Sequence, residues 1–317
     1  MVDLKIKLPE GFLDEEVRFG YTVTRQMKEV WAIEIDLLEE FKRVCEKHGL
    51  KYCADGGTLL GAVRHHGYIP WDDDLDIAML RNDFEKLNKI APTEFQKPYF
   101  WQTEETDHGS ARGHAQLRNS NTTGLIAVEY KHQRNNMFNQ GIFIDIFPFD
   151  TVIDDDIKLA AQDLKRHKLN QKYREILDSV DYFCFKPWVD AKGKRHFNLR
   201  KLYLHFKYRV LKESYSSAYY QFIDEITKYN CISDSEYVAD LCLPLSLKRL
   251  KRFRADFEKL KKVDFEFIQI PIFENYDRNL QILYGNKYMT PVQAKSEHGS
   301  MIFDTDKPYT LYLAKRK

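Results

Sequence analysis

Apolar residues recur at helical spacing from Arg25 to His48, through Met27, Val30, Trp31, Leu37, Leu38, Phe41, Val44 and Cys45, which predicts one long amphipathic helix. Gly49 stands where a C-cap glycine belongs. Leu50 to Ala54 reads as a short strand, and Asp55-Gly56-Gly57-Thr58 as a tight turn opening a second helix from Thr58 to about His66. Gly67 ends that helix, and Pro70 forces an extended approach to Leu75–Leu80, an expected strand with Asp74 and Asp76 on one face. Helical spacing returns from Arg81 to Ala91 through Phe84, Leu87 and Ile90, and loops with short strands are expected from Thr103 to Thr123. From Gly141 to Phe147 the pattern is that of a strand: Phe143, Asp145 and Phe147 share one face, Ile142, Ile144 and Ile146 the other, and Pro148 is expected to stop it.

After Asp150 the character changes. Glycine becomes scarce, Lys, Arg, Tyr and His become frequent, and helical spacing dominates from Ile157 to Leu177 and from Leu199 to Phe222. Phe265 to Ile272 reads as a late strand, and Tyr284-Gly285-Asn286-Lys287-Tyr288-Met289 as a helix exit and loop. The expected fold class is α+β, a small mixed β-sheet flanked by helices, followed by a mostly helical second half. The expected organisation is a catalytic core over 1–150, a helical region over 151–262 and a C-terminal segment over 263–317 packing back on the core.

Bulk properties narrow the function classes. The 317 residues are 43% hydrophobic and 31% charged, ordinary globular composition. A net charge of +1 gives no overall field that would draw in nucleic acid, so no nucleic-acid partner is expected. The five cysteines are odd in number and widely spaced, with no Cys-x-x-Cys pair, which points to reduced thiols. Met1 to Glu16 holds no apolar signal-peptide core, and no stretch reaches the roughly 20 apolar residues that span a bilayer. The expected location is cytoplasmic, with docking at the inner face of the membrane as the only membrane contact. A surface for such docking is foreseen on 199–212, where Leu199, Leu202, Phe206 and Val210 form one face and Arg200, Lys201, Lys207, Arg209 and Lys212 supply charge, although charge runs are more often solvated helix faces.

The chemistry concentrates in Pro70-Trp71-Asp72-Asp73-Asp74-Leu75-Asp76, where carboxylates crowd beside an apolar run. Two carboxylates 4 Å apart repel by about 4 kcal/mol at an effective dielectric of 20, so a half-buried cluster stays ionised only if cations neutralise it. Divalent metal is the natural remedy: Mg²⁺, with Mn²⁺ as the alternative, held by Asp74 and Asp76 with Asp145 as third ligand. Upstream, Gly56, Gly57 and Thr58 place bare backbone N–H groups at a helix start, a favourable setting for donor-phosphate oxygens, and Arg64 and His65 lie at the far end of the same helix. Each piece has a plainer reading: a glycine pair is usually a turn, Asp145 could be a satisfied structural carboxylate, Arg64 could pair with an acid of the cluster, and a surface position is the default for His65.

With these residues in view, Phe41 to Leu80 resembles the signature region of the LicD family, phosphotransferases that decorate bacterial surface glycans and include relatives of fukutin. The resemblance is carried by Gly56-Gly57-Thr58-Leu59-Leu60-Gly61-Ala62-Val63-Arg64-His65 and by Gly67-Tyr68-Ile69-Pro70-Trp71-Asp72-Asp73-Asp74-Leu75-Asp76. It is seconded by Gly141 to Pro148 and, more weakly, by Tyr284-Gly285 with Tyr288-Met289. The resemblance implies a nucleotidyltransferase-like core, Asp74, Asp76 and Asp145 as catalytic metal ligands, a CDP-alcohol donor such as CDP-choline, and a sugar hydroxyl as acceptor, free or lipid-linked. Transfer of the phospho-alcohol would release CMP. Trp71, Trp101, Tyr130 and Trp188 are candidates for an aromatic wall around a choline headgroup, although core packing is the commoner job of each.

Three rivals are weighed. A nucleotidyltransferase releasing pyrophosphate would use the same metal site. A glycosyltransferase also uses Asp-x-Asp, but normally after a nucleotide-binding half of about 100 residues, and here the motif comes too early. A non-catalytic glycan- or partner-binding module would have no need of such an acidic cluster.

Overall fold

The computed structural model describes residues 1–126, 138–183, 185, 188–189, 194–232, 234–293 and 301–314. Helix α1 spans Arg25–His48, as the apolar spacing predicts. Thr24 caps its start by accepting the Met27 N–H, and Gly49 ends it in the left-handed conformation, φ 63°. Ahead of it, β1 (Glu16–Arg18) and β2 (Tyr21–Val23) form a hairpin. β3 is short, Cys53–Ala54, and α2 spans Gly56–Arg64, starting two residues earlier than the sequence suggests. β4 (Asp76–Leu80) runs directly into α3 (Arg81–Glu94).

The remaining strands of the first half are β5 (Tyr99–Gln102), β6 (Ala115–Asn119), β7 (Thr123–Ile126) and β8 (Ile142–Thr151). β8 is the axis of a mixed seven-stranded sheet. On one edge it pairs in parallel with β4; on the other it pairs antiparallel with β6 along its first half. β3 extends the sheet beyond β4, and β5 extends it beyond β6. All ten residues of β8 are buried. Its even-numbered residues Ile142, Ile144 and Ile146 belong to the main hydrophobic core with Val30, Ile33, Leu37 and Phe41 of α1, which packs against β8 and β6.

Pro148 does not stop β8, contrary to expectation. The Asp145 N–H donates to the Leu75 carbonyl at 2.9 Å, so odd-numbered N–H groups face β4 and even-numbered positions face the opposite edge. On that edge β6 ends opposite Ile146, and the next strand, β11 (Tyr237–Ala239), begins opposite Asp150. Pro148 falls in the gap, where no ladder bond asks for the N–H that proline lacks.

The second half carries α4 (Asp156–Ile176), α5 (Leu199–Val210) and α6 (Tyr215–Thr227). The single run foreseen from Leu199 to Phe222 is thus two helices, the second capped by Ser214, whose side chain accepts the Ser217 N–H. A second hydrophobic cluster, with Tyr173, Ile176, Tyr208, Tyr215, Tyr219, Phe222 and Ile226, holds these helices together and meets the sheet through Val152, Ala239 and Leu241. The short pair β9 (Trp188–Val189) and β10 (Arg195–His196) precedes α5.

From Tyr237 the chain returns to strands. β11 joins β8, and β12 (Lys251–Phe253) joins β11 after the four-residue helix α7, Leu247–Leu250. β13 (Leu260–Phe265) and β14 (Ile268–Phe273) form a hairpin where one late strand is foreseen. Helix α8 (Tyr276–Tyr284) ends at Gly285, φ 76°, and β15 (Met301–Asp304) pairs with β7. The architecture is α+β, as the patterning predicts. Among the described residues no helix is long and apolar enough to cross a membrane. The four described cysteines, Cys45, Cys53, Cys231 and Cys242, are free thiols, and Cys184 lies outside the described residues.

Candidate active site

Asp145 sits on the odd-numbered face of β8, and its register partner on β4 is Asp76. Partners in a parallel pair present their side chains to the same face, so the two carboxylates converge on one cavity of about 550 Å³, which Phe147 and Phe149 also line. Asp74, foreseen on the strand with Asp76, instead lies in the loop before it. β4 starts only at Asp76, and Asp72, Asp73 and Asp74 form a knot in which one carboxylate oxygen from each lies within 4.8 Å of the others. α1 supports this loop from behind, with the Trp31 indole N–H donating to the Asp72 carbonyl at 3.1 Å. Asp72, Asp74, Asp76 and Asp145 all line the cavity.

The glycine turn is shaped around these acids. Gly56 has φ +53°, and a Cβ added there would meet Asp76 Oδ2 at 2.6 Å; one added at Gly57 would meet Asp72 Oδ2 at 2.6 Å. Only bare backbone lets the carboxylates approach this closely. Thr58, which is not among the lining residues, acts on the site from within: its Oγ1 accepts the Asp76 N–H at 2.7 Å and fixes the start of β4.

Burial and the neighbouring Asp74, Asp145, Asp72 and Asp55 push the Asp76 carboxyl well above the usual carboxylate range. Burial likewise raises Asp55, whose Oδ1 is buried without a hydrogen-bond partner. Asp145 is held from β6 and the residue before it: the Gln116 amide donates to its Oδ1 at 2.7 Å, and His114 Nε2 lies 3.1 Å from the same oxygen. Burial lowers the His114 imidazole's proton affinity, against the pull of Asp145. The contact suits the Nε2–H tautomer, because a carboxylate only accepts.

Converging carboxylates with an uncompensated buried oxygen fit a divalent cation, and an all-oxygen donor set favours Mg²⁺ or Mn²⁺ over zinc. Asp76, Asp145 and the Asp72–Asp74 knot are the residues able to hold it.

Of the other foreseen residues, Arg64 lines the cavity, and its guanidinium donates to the Tyr288 carbonyl at 2.6 Å and to His65 Nε2 at 2.8 Å. His65 does not line the cavity. It packs edge-on against Phe19, and burial with the nearby Arg64, Arg18 and His66 lowers its pKa to about 4, so it is a neutral acceptor that orients Arg64. Trp71 lines the cavity, whereas Trp101 is a core residue stacked on Phe95 with its indole N–H bonded to Asn88. Tyr130 and the side chain of Trp188 lie outside the described residues.

Sequence reasoning misses the part of the lining that comes from the later chain. Asp240 follows β11, Arg249 and Leu250 come from α7, Arg252 from β12, and Tyr284 and Lys287 from the end of α8 and the loop after it. The Arg252 guanidinium is buried with its Nε lacking a hydrogen-bond partner, and the Asp240 carboxyl is pushed up to about 7, first by burial. Beside its acids the cavity is therefore lined by Arg64, Arg249, Arg252 and Lys287, cations of the kind a metal-bound diphosphate requires.

Residues 49–177 match the family model described as LicD/FKTN/FKRP, nucleotidyltransferase domain. This stretch of the chain is thus similar to the LicD-family domain. A curated relative is the lipopolysaccharide cholinephosphotransferase LicD of Haemophilus influenzae, 29% identical over 167 residues, 52% of this chain and 57% of that protein. The human ribitol 5-phosphate transferase FKRP is 39% identical over 51 residues, 16% of this chain and 10% of that protein. An uncharacterized protein of Rickettsia prowazekii is 46% identical over 56 residues, 18% of this chain and 21% of that protein. The matches thus span little more than half the length of the first of these relatives and about a fifth or less of the others. The matched stretch contains the glycine turn, the Asp knot, Asp76, His114 and Asp145, while Asp240, Arg249, Arg252, Tyr284 and Lys287 come from the chain beyond it.

Proposed function

We propose that this protein is a Mg²⁺-dependent phosphotransferase that moves a phospho-alcohol group from a CDP-linked donor to a sugar hydroxyl of a surface glycan or its lipid-linked precursor, releasing CMP. The observation that carries this reading is the register of Asp76 with Asp145 above the glycine turn, in a cavity that Arg64, Arg249, Arg252 and Lys287 also line. The names of the relatives in Haemophilus and in man, a cholinephosphotransferase and a ribitol phosphate transferase, support the phospho-alcohol class.

Bound Mg²⁺, held by Asp76, Asp145 and the Asp knot, would supply charge neutralisation at the donor phosphates. The chain's own residues do the rest. The Gly56 and Gly57 backbone admits the phosphates close to the acids, and Arg64, Arg249 and Lys287 neutralise the diphosphate oxygens as CMP leaves. Asp145, held by Gln116 and His114, orients the incoming hydroxyl and accepts its proton at a carboxylate oxygen. Trp71 and Tyr284 offer ring faces to the alcohol or the base.

Product analysis with CDP-choline, CDP-glycerol and CDP-ribitol tests the reading. Mg²⁺-dependent release of CMP with a phosphodiester on the sugar is expected. Release of pyrophosphate, with the nucleotide retained on the acceptor, would establish the nucleotidyltransferase alternative instead.

A further inference from the structure

Helix α5 is inside out. Its stripe Leu199, Tyr203, Phe206 and Val210 is 69%, 65%, 61% and 79% exposed, whereas Lys201 and Tyr208 are buried. The inward face is held by polar contacts: Lys201 Nζ donates to Asp178 at 2.7 Å, the Tyr208 hydroxyl to Glu175 at 2.8 Å, and His205 Nδ1 meets the Ser179 carbonyl at 2.7 Å. The face foreseen from sequence included Leu202 as an apolar member and Lys201 as a solvated one. Leu202 is half-buried and Tyr203 takes its place in the stripe.

At about 100° per residue, positions 199, 203, 206 and 210 fall within an arc of roughly 60°. Arg200 and Lys207 flank that arc on one side and Arg209 on the other, all exposed. Phe197, 56% exposed, extends the apolar surface beyond the helix start. A contiguous exposed stripe of large apolar side chains marks an interaction surface, unlike apolar residues scattered singly. The charge around it chooses the occupant. From 191 to 212 the sequence holds Lys192, Lys194, Arg195, Arg200, Lys201, Lys207, Arg209 and Lys212 and no acidic residue. A second copy meeting this face in a two-fold contact would set Arg200, Lys207 and Arg209 against their own copies, a like-charge juxtaposition. An anionic bilayer instead takes apolar side chains into its acyl boundary and the flanking cations at its phosphates.

We infer that α5 is a membrane-surface anchor, its Leu199, Tyr203, Phe206 and Val210 stripe inserted among anionic lipids and its Arg and Lys flanks at the headgroups. The anchor is tied to the cavity: Arg166 of α4, in the same helical unit, donates to the carbonyls of Leu243 at 2.6 Å and Leu245 at 2.7 Å, residues of the cavity wall. Docking would therefore hold the proposed site beside lipid-linked acceptors, although docking itself does not rest on the transfer reading.

Cosedimentation of the full chain with vesicles tests the inference. Partition is expected on phosphatidylcholine vesicles containing about a third phosphatidylglycerol at low salt, and little on pure phosphatidylcholine or at high salt. Phe206→Asp should abolish partition while leaving thermal unfolding unchanged, and the pair Lys207→Ala with Arg209→Ala should weaken it about thirty-fold. Three results would overturn the inference: no partition on anionic vesicles, partition undiminished in these variants, or a stable dimer in solution that Phe206→Asp splits. Because no donor or acceptor is present, failure here leaves the transfer reading standing, and failure of CMP release leaves the anchor standing.

Discussion

Gln116 and Asp76 flank Asp145 from opposite edges of the same strand, Gln116 as its antiparallel register partner on β6 and Asp76 as its parallel partner on β4. The central carboxylate is therefore aimed by one neighbour and crowded by the other. Its placement follows from strand pairing, so small changes in either neighbour should be felt in the chemistry before they are felt in the fold.

The glycine turn gives the sharpest steric prediction. Gly56→Ala must place a Cβ 2.6 Å from Asp76 Oδ2 at a φ of +53° that L side chains rarely adopt. The expected outcome is a loss of about 1–3 kcal/mol in stability from backbone strain. Turnover should fall at least a hundred-fold, because the carboxylate must move. Denaturant unfolding and steady-state kinetics on one preparation check both, and unchanged kinetics would show that Asp76 needs no close approach to the turn.

His114 is a positioning residue in this account, since it touches Asp145 and does not line the cavity. His114→Ala should lower kcat and the affinity for Mg²⁺ by about 10- to 100-fold, as loss of a group orienting a metal ligand does, and leave KM for the donor nearly unchanged. His114→Asn, which retains a donor, should recover part of the loss. Equal inactivity of both variants with native stability would mean that the imidazole itself acts in the reaction.

Much of this site is legible in the chain. α1 and its glycine cap follow from apolar spacing, and Asp145 is conspicuous because a carboxylate interrupts an isoleucine-rich strand that would otherwise be core. The Asp run and the glycine turn announce each other through the cost of crowding charge. What escapes is what pairing decides. Pro148 reads as a strand end until the gap between β6 and β11 is known. Asp240 and Arg252 carry no motif, and only the antiparallel docking of β11 on β8 and of β12 on β11 brings them to the cavity. The stripe of α5 illustrates a different limit: periodicity identifies an apolar face, but not whether it turns inward or outward.

Above pH 6.5 the metal-free protein should grow less stable as pH rises. The Asp240 carboxyl is raised to about 7 by burial first, and Asp76 is raised as well, so the folded state holds protons that the unfolded chain has released above pH ~4. The Asp240 contribution is lost as pH climbs from ~4 through about 7, by an amount on the order of a few kcal/mol, while neutral His65 and His114, both lowered from 6.5, act in the opposite sense below that value. Asp240→Asn should flatten this dependence and raise Tm at pH 8, and Mg²⁺ at 100 times its Kd should add about 2.7 kcal/mol at that pH. A Tm that rises between pH 6.5 and 8 without metal would contradict the assigned direction.

The most direct test is Mg²⁺-dependent CMP release by Asp76→Asn and Asp145→Asn beside the unaltered protein, with circular dichroism confirming that each variant is folded. The account predicts turnover that chelation abolishes in the unaltered protein, and a fall of at least a thousand-fold in each variant at saturating Mg²⁺. Near-normal turnover in either folded variant, or turnover that survives chelation, would contradict it.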